Sequence, residues 1–230
     1  MIPPRVALIG YGKMGRALRA MAVDRGWTVT GVVERDKGGL SALAGADVAI
    51  EFTAPRAAVA NIRAALDAGT PIVVGTTGWY DELPAITAEV EARKGAMLWA
   101  PNFSLGALVL RHIVTEAARR LRDVPEMDAH LIETHHAAKR DAPSGTAIAL
   151  ADAVEPAFGR KVPITSVRVG HVPGTHEMIF DAPFEQISLK HTVRDRRVFA
   201  AGALLAAEWL INKRGVFTLD DVLAPGGRTT

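Results

Sequence analysis

The first fifteen residues place the tightest constraint on how this chain can fold. Arg5-Val-Ala-Leu-Ile9 is a short apolar run of strand formers. It leads directly into Gly10-Tyr11-Gly12-Lys13-Met14-Gly15, and Arg16 to Arg25 then takes up helical spacing. A strand that ends on G-x-G-x-x-G and opens a helix is built to receive a diphosphate. The first glycine permits the tight turn, the second lets the anion reach the backbone, and the third lets helix pack on strand. The unpaired N–H groups of the helix start then favour negative charge. A second strand-like run, Thr28 to Val33, ends at Glu34, about 20 residues beyond the glycines, where a ribose-binding carboxylate is expected. Arg35 follows at once. A carboxylate suits the free 2′-hydroxyl of NADH and an arginine the 2′-phosphate of NADPH, so the pair predicts tolerance of either cofactor.

The pattern continues in the same style to about residue 100. Asp47 to Phe52, Pro71 to Val74 and Met97 to Ala100 read as strands, and helical stretches run from Ala54 to Ala68 and from Glu82 to Lys94. Continuous apolar strands alternating with helices imply a parallel sheet covered on both faces. Three further segments fall at the carboxyl ends of these strands: Phe52-Thr53, Gly75-Thr76-Thr77 and Ala100-Pro101-Asn102-Phe103. Ligands of open parallel sheets bind at that edge, so all three are expected to line the cofactor cleft with the glycine turn.

After Asn102 the pattern changes. Leu105 to Leu121 is an amphipathic helix, 127–134 a strand and Ala147 to Val154 a short helix. Ile164–Val169, His176–Phe180 and Gln186–Val193 then follow as strands joined without helices. Phe199 to Ile211 is a helix apolar nearly all round, as a buried helix would be. The expected organisation is an α/β Rossmann-like parallel-sheet nucleotide domain over 1–104 and 203–230, and a smaller α+β domain with a mixed sheet over 105–202.

Composition removes several classes of function. The chain has no cysteine, which excludes disulfides, thiolate metal sites and a thiol nucleophile. Its 27 basic residues against 25 acidic leave too small an excess for a nucleic-acid binder. The longest uncharged run, Gly95 to Leu110, holds Pro101, Asn102 and Ser104 and is too short and polar to span a membrane. A cytoplasmic protein with no nucleic-acid or membrane partner is expected.

The densest polar cluster is Glu133-Thr-His135-His136-Ala-Ala-Lys139-Arg140-Asp141-Ala-Pro143-Ser144-Gly145-Thr146. A histidine can give or take a proton at neutral pH, and a lysine three positions on adds a permanent charge. Ser144, Gly145 and Thr146 open a helix, which makes an anion cradle for a carboxylate. The segment therefore joins a proton donor to an anion site. Zinc is the weaker reading, because adjacent histidines rarely point at one ion and no third ligand is spaced for it.

This cluster resembles the signature of the dihydrodipicolinate reductases, also called 4-hydroxy-tetrahydrodipicolinate reductases. The other landmarks agree in order: Gly10 to Gly15, Glu34-Arg35, Phe52-Thr53, Gly75 to Gly78, Asn102-Phe-Ser104, Arg168-Val-Gly170, Gly174-x-His176-Glu177 and Phe199-Ala-x-Gly-Ala203. The resemblance covers nearly the whole chain. It implies a homotetramer whose smaller domain supplies the oligomer contact, and a hinge that lets the domains close. The implied reaction is reduction of a cyclic imine dicarboxylate by NADH or NADPH in lysine and diaminopimelate biosynthesis. By the same resemblance His135 and Lys139 are the proton-transfer pair, and His136, Gly145 and Thr146 bind substrate carboxylate, with Ser144 in the same cradle. Two other readings stay open on the residues alone. One is a different Rossmann amino-acid dehydrogenase, such as an aspartate dehydrogenase; the Asp-Ala-Pro-Ser-Gly-Thr string argues against it. The other is a nucleotide-sensing regulator without turnover, which would need neither His135 nor Lys139.

Overall fold

The computed structural model describes residues 2–33 and 40–224 of the chain. Two compact units divide it: Met1–Phe103 with Arg197–Thr230, and Ser104–Arg196. The second border thus lies six residues before the expected one. The last long helix begins at Arg197 rather than Phe199 and belongs whole to the first unit.

The first unit is a six-stranded parallel sheet built from β1 (Arg5–Ile9), β2 (Thr28–Val33), β3 (Val48–Glu51), β4 (Ile72–Val74), β5 (Ala96–Trp99) and β10 (Gly215–Phe217). Strand order is β10-β5-β4-β3-β1-β2. The chain steps outward from β1 to β2 and then crosses back to β3, so the winding reverses between β1 and β3, the place where such sheets hold ligands. Helices α1 (Lys13–Asp24), α2 (Pro55–Asp67) and α3 (Leu83–Ala92) connect the strands. Pro55 sits at the start of α2, where its missing N–H costs nothing. The core gathers Ile9, Ile62, Ile72, Val74, Ile86 and Met97, all essentially closed to solvent. Burying each such side chain is worth about 1.5–3 kcal/mol.

α1 starts at Lys13, three residues before the helical spacing becomes readable, so Lys13, Met14 and Gly15 form its first turn rather than a loop. α6 (Arg197–Leu210) buries a face of small residues, among them Ala200, Gly202 and Ala203. A β-carbon on Gly202 would lie 1.9 Å from the Phe103 carbonyl oxygen, so this helix can approach the chain after β5 only as glycine. β10 and the short α7 (Leu219–Leu223) were not foreseen from the sequence.

The second unit is a mixed sheet in the order β7-β6-β8-β9, built from β6 (Asp128–His135), β7 (Ile164–Arg168), β8 (Thr175–Ala182) and β9 (Glu185–Thr192). β6 pairs parallel with β7 and antiparallel with β8, and β8 pairs antiparallel with β9. Helices α4 (Leu105–Leu121) and α5 (Gly145–Phe158) pack together and share its core, which includes Val114, Leu131, Val154, Phe158, Met178 and Phe180. The inward face of β6 reads Ala129, Leu131, Glu133, His135, and that of β8 reads Phe180, Met178, His176 in the opposite direction. The register sets Ala129 opposite Phe180, Leu131 opposite Met178 and Glu133 opposite His176. One buried sheet face therefore passes from apolar to ionisable within two residues, and that polar end carries the site.

Candidate active site

In the first unit the glycine turn is shaped from both sides. Gly10 has φ +96°, and a β-carbon there would lie 2.2 Å from the Phe52 carbonyl oxygen, so β1 and β3 meet here with no room for a side chain. A β-carbon on Gly15 would lie 2.1 Å from the Gly10 oxygen, which makes Gly15 the contact between helix and turn. Gly12 differs, because nothing beyond its own chain neighbours lies within 4 Å of the position its β-carbon would take. Gly12 is also the residue before α1 and caps it with no side chain, so no side chain of the cap takes up the first N–H groups of the helix. A diphosphate needs such an arrangement: open space, a bare backbone and a helix start. Tyr11 is held to α1 by Arg19, which donates to its hydroxyl at 2.9 Å.

The neighbouring turns are tied to one another. The Thr53 amide donates to Thr76 Oγ1 at 2.7 Å, and Trp79 donates to the Thr76 carbonyl at 2.8 Å. Phe52 stands edge-on to Phe103 at 5.8 Å. A β-carbon on Gly75 would run into the Phe52 ring, so Gly75 makes room for that aromatic pair. Of the expected cofactor residues, Thr76, Ala100 and Phe103 are buried and shape the edge from inside, while Thr53, Thr77 and Pro101 are exposed and Asn102 is half-buried. Glu34 and Arg35 lie outside the described residues.

In the second unit, Glu133 is fully buried and forms the hub of the charged cluster. Its Oε1 accepts from Arg168 Nη2 at 2.7 Å and from the Ser144 amide at 3.3 Å. Its Oε2 accepts from Arg168 Nη1 at 3.0 Å and meets His135 Nδ1 in a short hydrogen bond. Burial alone would raise the Glu133 pKa, but the hydrogen bonds from Arg168, Ser166 and His135 outweigh it and hold the carboxyl at about 2. Burial pushes the His135 imidazole below the ordinary histidine value. The Glu133 hydrogen bond opposes that shift, and the charges of Lys139 and Arg168 add to it. Lys139 reaches back to Asp141, donating to its two oxygens at 2.8 and 2.7 Å.

His136 points elsewhere. It accepts from Arg196 Nη2 at 3.3 Å and lines an open recess of about 420 Å3 together with His171, Pro173, Arg194, Asp195 and Arg196. Ser144 caps α5 by accepting from the Ala147 amide at 3.2 Å, and its hydroxyl also meets His176 Nε2 at 3.1 Å. That side chain is buried, so of the expected cradle Gly145 is exposed and Thr146 is half-buried. His176 is driven down to about 4 chiefly by burial, with the facing His135 adding to the effect.

Sequence reasoning assigned no role to Glu133, Arg168 or His176, although all three stood in its motifs. Their signal is a spacing across strands. Glu133 and His176 are register partners, and Arg168 is the register partner of His135.

A parallel sheet with a glycine turn at its switch point, joined in one chain to a mixed-sheet unit carrying a buried acid–histidine–arginine cluster, fits the class of NAD(P)H-dependent oxidoreductases. Comparison with known proteins narrows the class. The profile described as "Dihydrodipicolinate reductase, N-terminus" matches residues 4–103, and "Dihydrodipicolinate reductase, C-terminus" matches 106–223. A 4-hydroxy-tetrahydrodipicolinate reductase of Christiangramia forsetii is 34% identical over 233 residues, covering 95% of this chain and 97% of that protein. One of Methanosarcina barkeri is 38% identical over 196 residues, covering 77% of this chain and 73% of that protein. The dipicolinate-bound dihydrodipicolinate reductase from Paenisporosarcina sp. TG-14 shares the fold with a TM-score of 0.82 at 23% identity, over 94% of this chain and 98% of that one. An aspartate dehydrogenase from Thermotoga maritima shares it more loosely, at a TM-score of 0.51 and 12% identity over 89% of this chain and 95% of that one. The chain belongs to the dihydrodipicolinate reductase family.

Proposed function

We propose that this chain reduces 4-hydroxy-tetrahydrodipicolinate, by way of the dehydrated imine, to tetrahydrodipicolinate, and that it works in the cytoplasm as a homotetramer. The observation that carries the reading is the His135–Glu133–Arg168 cluster set beside Lys139 and the start of α5, all but Arg168 lying inside the family's most specific motif. The first unit would hold the nucleotide. Gly10 to Gly15 suit the diphosphate, and Phe52-Thr53, Gly75 to Thr77 and Ala100 to Phe103 suit the nicotinamide half, which supplies the hydride when bound.

The protein's own groups manage charge and protons. Hydride addition to a conjugated imine sends negative charge toward the ring nitrogen, where the Lys139 ammonium stabilises it. His135 supplies the proton. The backbone N–H groups at Gly145 and Thr146 receive one carboxylate, and the recess with His136, Arg194 and Arg196 offers cationic partners for a dianion. Oligomerisation through the second unit is supported by the exposed edge strand β9 and by Phe184 at the β8–β9 turn, which is 100% exposed.

The test supplies 4-hydroxy-tetrahydrodipicolinate to the purified protein and follows oxidation of NADH and NADPH. Turnover with at least one cofactor is expected. His135→Ala and Lys139→Ala should each lower kcat by roughly 10²–10⁴ while cofactor affinity stays intact. Wild-type turnover in both variants would refute the assigned roles.

A further inference from the structure

We propose that Glu133, clamped by Arg168, is the positioning residue of the proton-transfer site: it fixes His135 as the Nδ1–H tautomer and thereby makes Nε2 the nitrogen that exchanges the proton. The inference rests on His135 being the proton donor. It adds the device that aims that donor.

The geometry leaves Glu133 no other state. Every neighbour of its carboxylate is a donor: two nitrogens of Arg168, the Ser144 amide and the Ser166 side chain, as well as His135. A carboxylate so surrounded accepts only, so the His135 nitrogen facing it must carry the hydrogen. The other nitrogen is then free to work. The fold also clears its surroundings. Gly174, at φ +154°, runs past the ring, and a β-carbon there would lie 3.0 Å from Nε2. Nδ1 is therefore locked in a buried charge network while the chain beside Nε2 is stripped to glycine.

In the reaction the imidazolium gives its Nε2 proton to the reduced substrate and becomes the neutral Nδ1–H imidazole. Solvent returns a proton to Nε2 before the next turnover. The groups facing the ring are Glu133 on β6, Arg168 on β7, His176 on β8 and Lys139 in the following turn. Of these, only Glu133 favours the charged ring. Arg168 both anchors the carboxylate and opposes the imidazolium, so the two partners must move His135 in opposite directions.

The experiment follows ¹⁵N and ¹³C resonances of the His135 ring through a pH titration without substrate, assigned with a His135→Asn variant. In the wild type, above the midpoint, Nδ1 should carry the proton and Nε2 should not. Glu133→Gln preserves size, but Arg168 and the Ser144 amide both require its oxygen. Its NH2 therefore turns toward Nδ1 and should invert the tautomer. The midpoint should fall by about one unit in Glu133→Gln and rise by about one unit in Arg168→Met. In turnover, kcat of Glu133→Gln should fall about 10²-fold or more with KM nearly unchanged. If either single variant does not fold, Glu133→Gln/Arg168→Met, which strands no buried charge, should fold and lose the fixed tautomer. An Nε2–H tautomer in the wild type, an unchanged one in Glu133→Gln or the double variant, or midpoints that move the same way would overturn the proposal. A purely structural role would lower Tm and leave tautomer and midpoint where they were. The ring spectra need no turnover, so failure of this proposal and failure of the reductase reading are told apart.

Discussion

Two glycines of the nucleotide turn, Gly12 and Gly15, make a sharp contrast when each is replaced by alanine. At Gly12 the new methyl group meets nothing within 4 Å beyond its own chain neighbours, and the backbone is already extended there. Alanine is a poorer helix cap than glycine by about 0.5–1 kcal/mol. It also gains about 0.4–1 kcal/mol by restricting the unfolded chain. The two nearly cancel, so Gly12→Ala should melt within a few degrees of the wild type. The methyl group does fill the approach of a diphosphate to the helix start. Losing one charge-assisted hydrogen bond costs about 1.5–3 kcal/mol, or roughly a 10- to 100-fold rise in Kd. At Gly15 the methyl group would sit 2.1 Å from the Gly10 oxygen, and the turn must move. Overpacking of that kind costs about 1–3 kcal/mol, and each kcal/mol lowers Tm by about 2–4 °C in a chain of this size. Calorimetric titration with NADH and thermal melts on both variants separate the effects. Wild-type NADH affinity in Gly12→Ala would refute the reasoning, and so would a loss of Tm matching that of Gly15→Ala.

Two further outcomes are expected. His176 is buried and held at about 4 against an ordinary 6.5, so the unfolded chain binds more protons than the folded one between those values. Its contribution to stability is complete above pH 6.5 and is lost as pH falls through 4, amounting to about 3 kcal/mol; urea unfolding across that window should show the slope in the wild type and its loss in His176→Asn. Arg35→Ala should weaken NADPH by about 1–3 kcal/mol relative to NADH, and equal losses measured by titration would show that Arg35 does not read the 2′-phosphate.

Much of the fold was legible because its signals are local. β1 and α4 have the bounds their spacing predicts, Arg5–Ile9 and Leu105–Leu121, since each is a run of one character bounded by glycine, serine or charge. α5 outlasts its expected end at Val154. Pro156 reads as a breaker, yet it falls in the last turn, and the helix continues to Phe158 and stops at Gly159 in the left-handed conformation. β10 escaped because three residues show no period, and its place in the sheet depends on pairing with β5 far back in the chain. The site divides the same way. The cluster from Glu133 to Thr146 is contiguous and was readable. The burial of the Ser144 hydroxyl was not, because it depends on His176 across the sheet. The Arg168–Glu133 clamp likewise joins strands 35 residues apart and has no local trace.

The claim that this chain transfers a hydride from nicotinamide to the imine of a cyclic dicarboxylate is tested most directly by isotope. Purified protein is given freshly made 4-hydroxy-tetrahydrodipicolinate and NADH deuterated at the transferable position, and the product is weighed by mass spectrometry. The account predicts tetrahydrodipicolinate carrying a single deuterium, formed in step with cofactor oxidation. Cofactor oxidised with no label in that product, or no oxidation with NADH or NADPH, would contradict it.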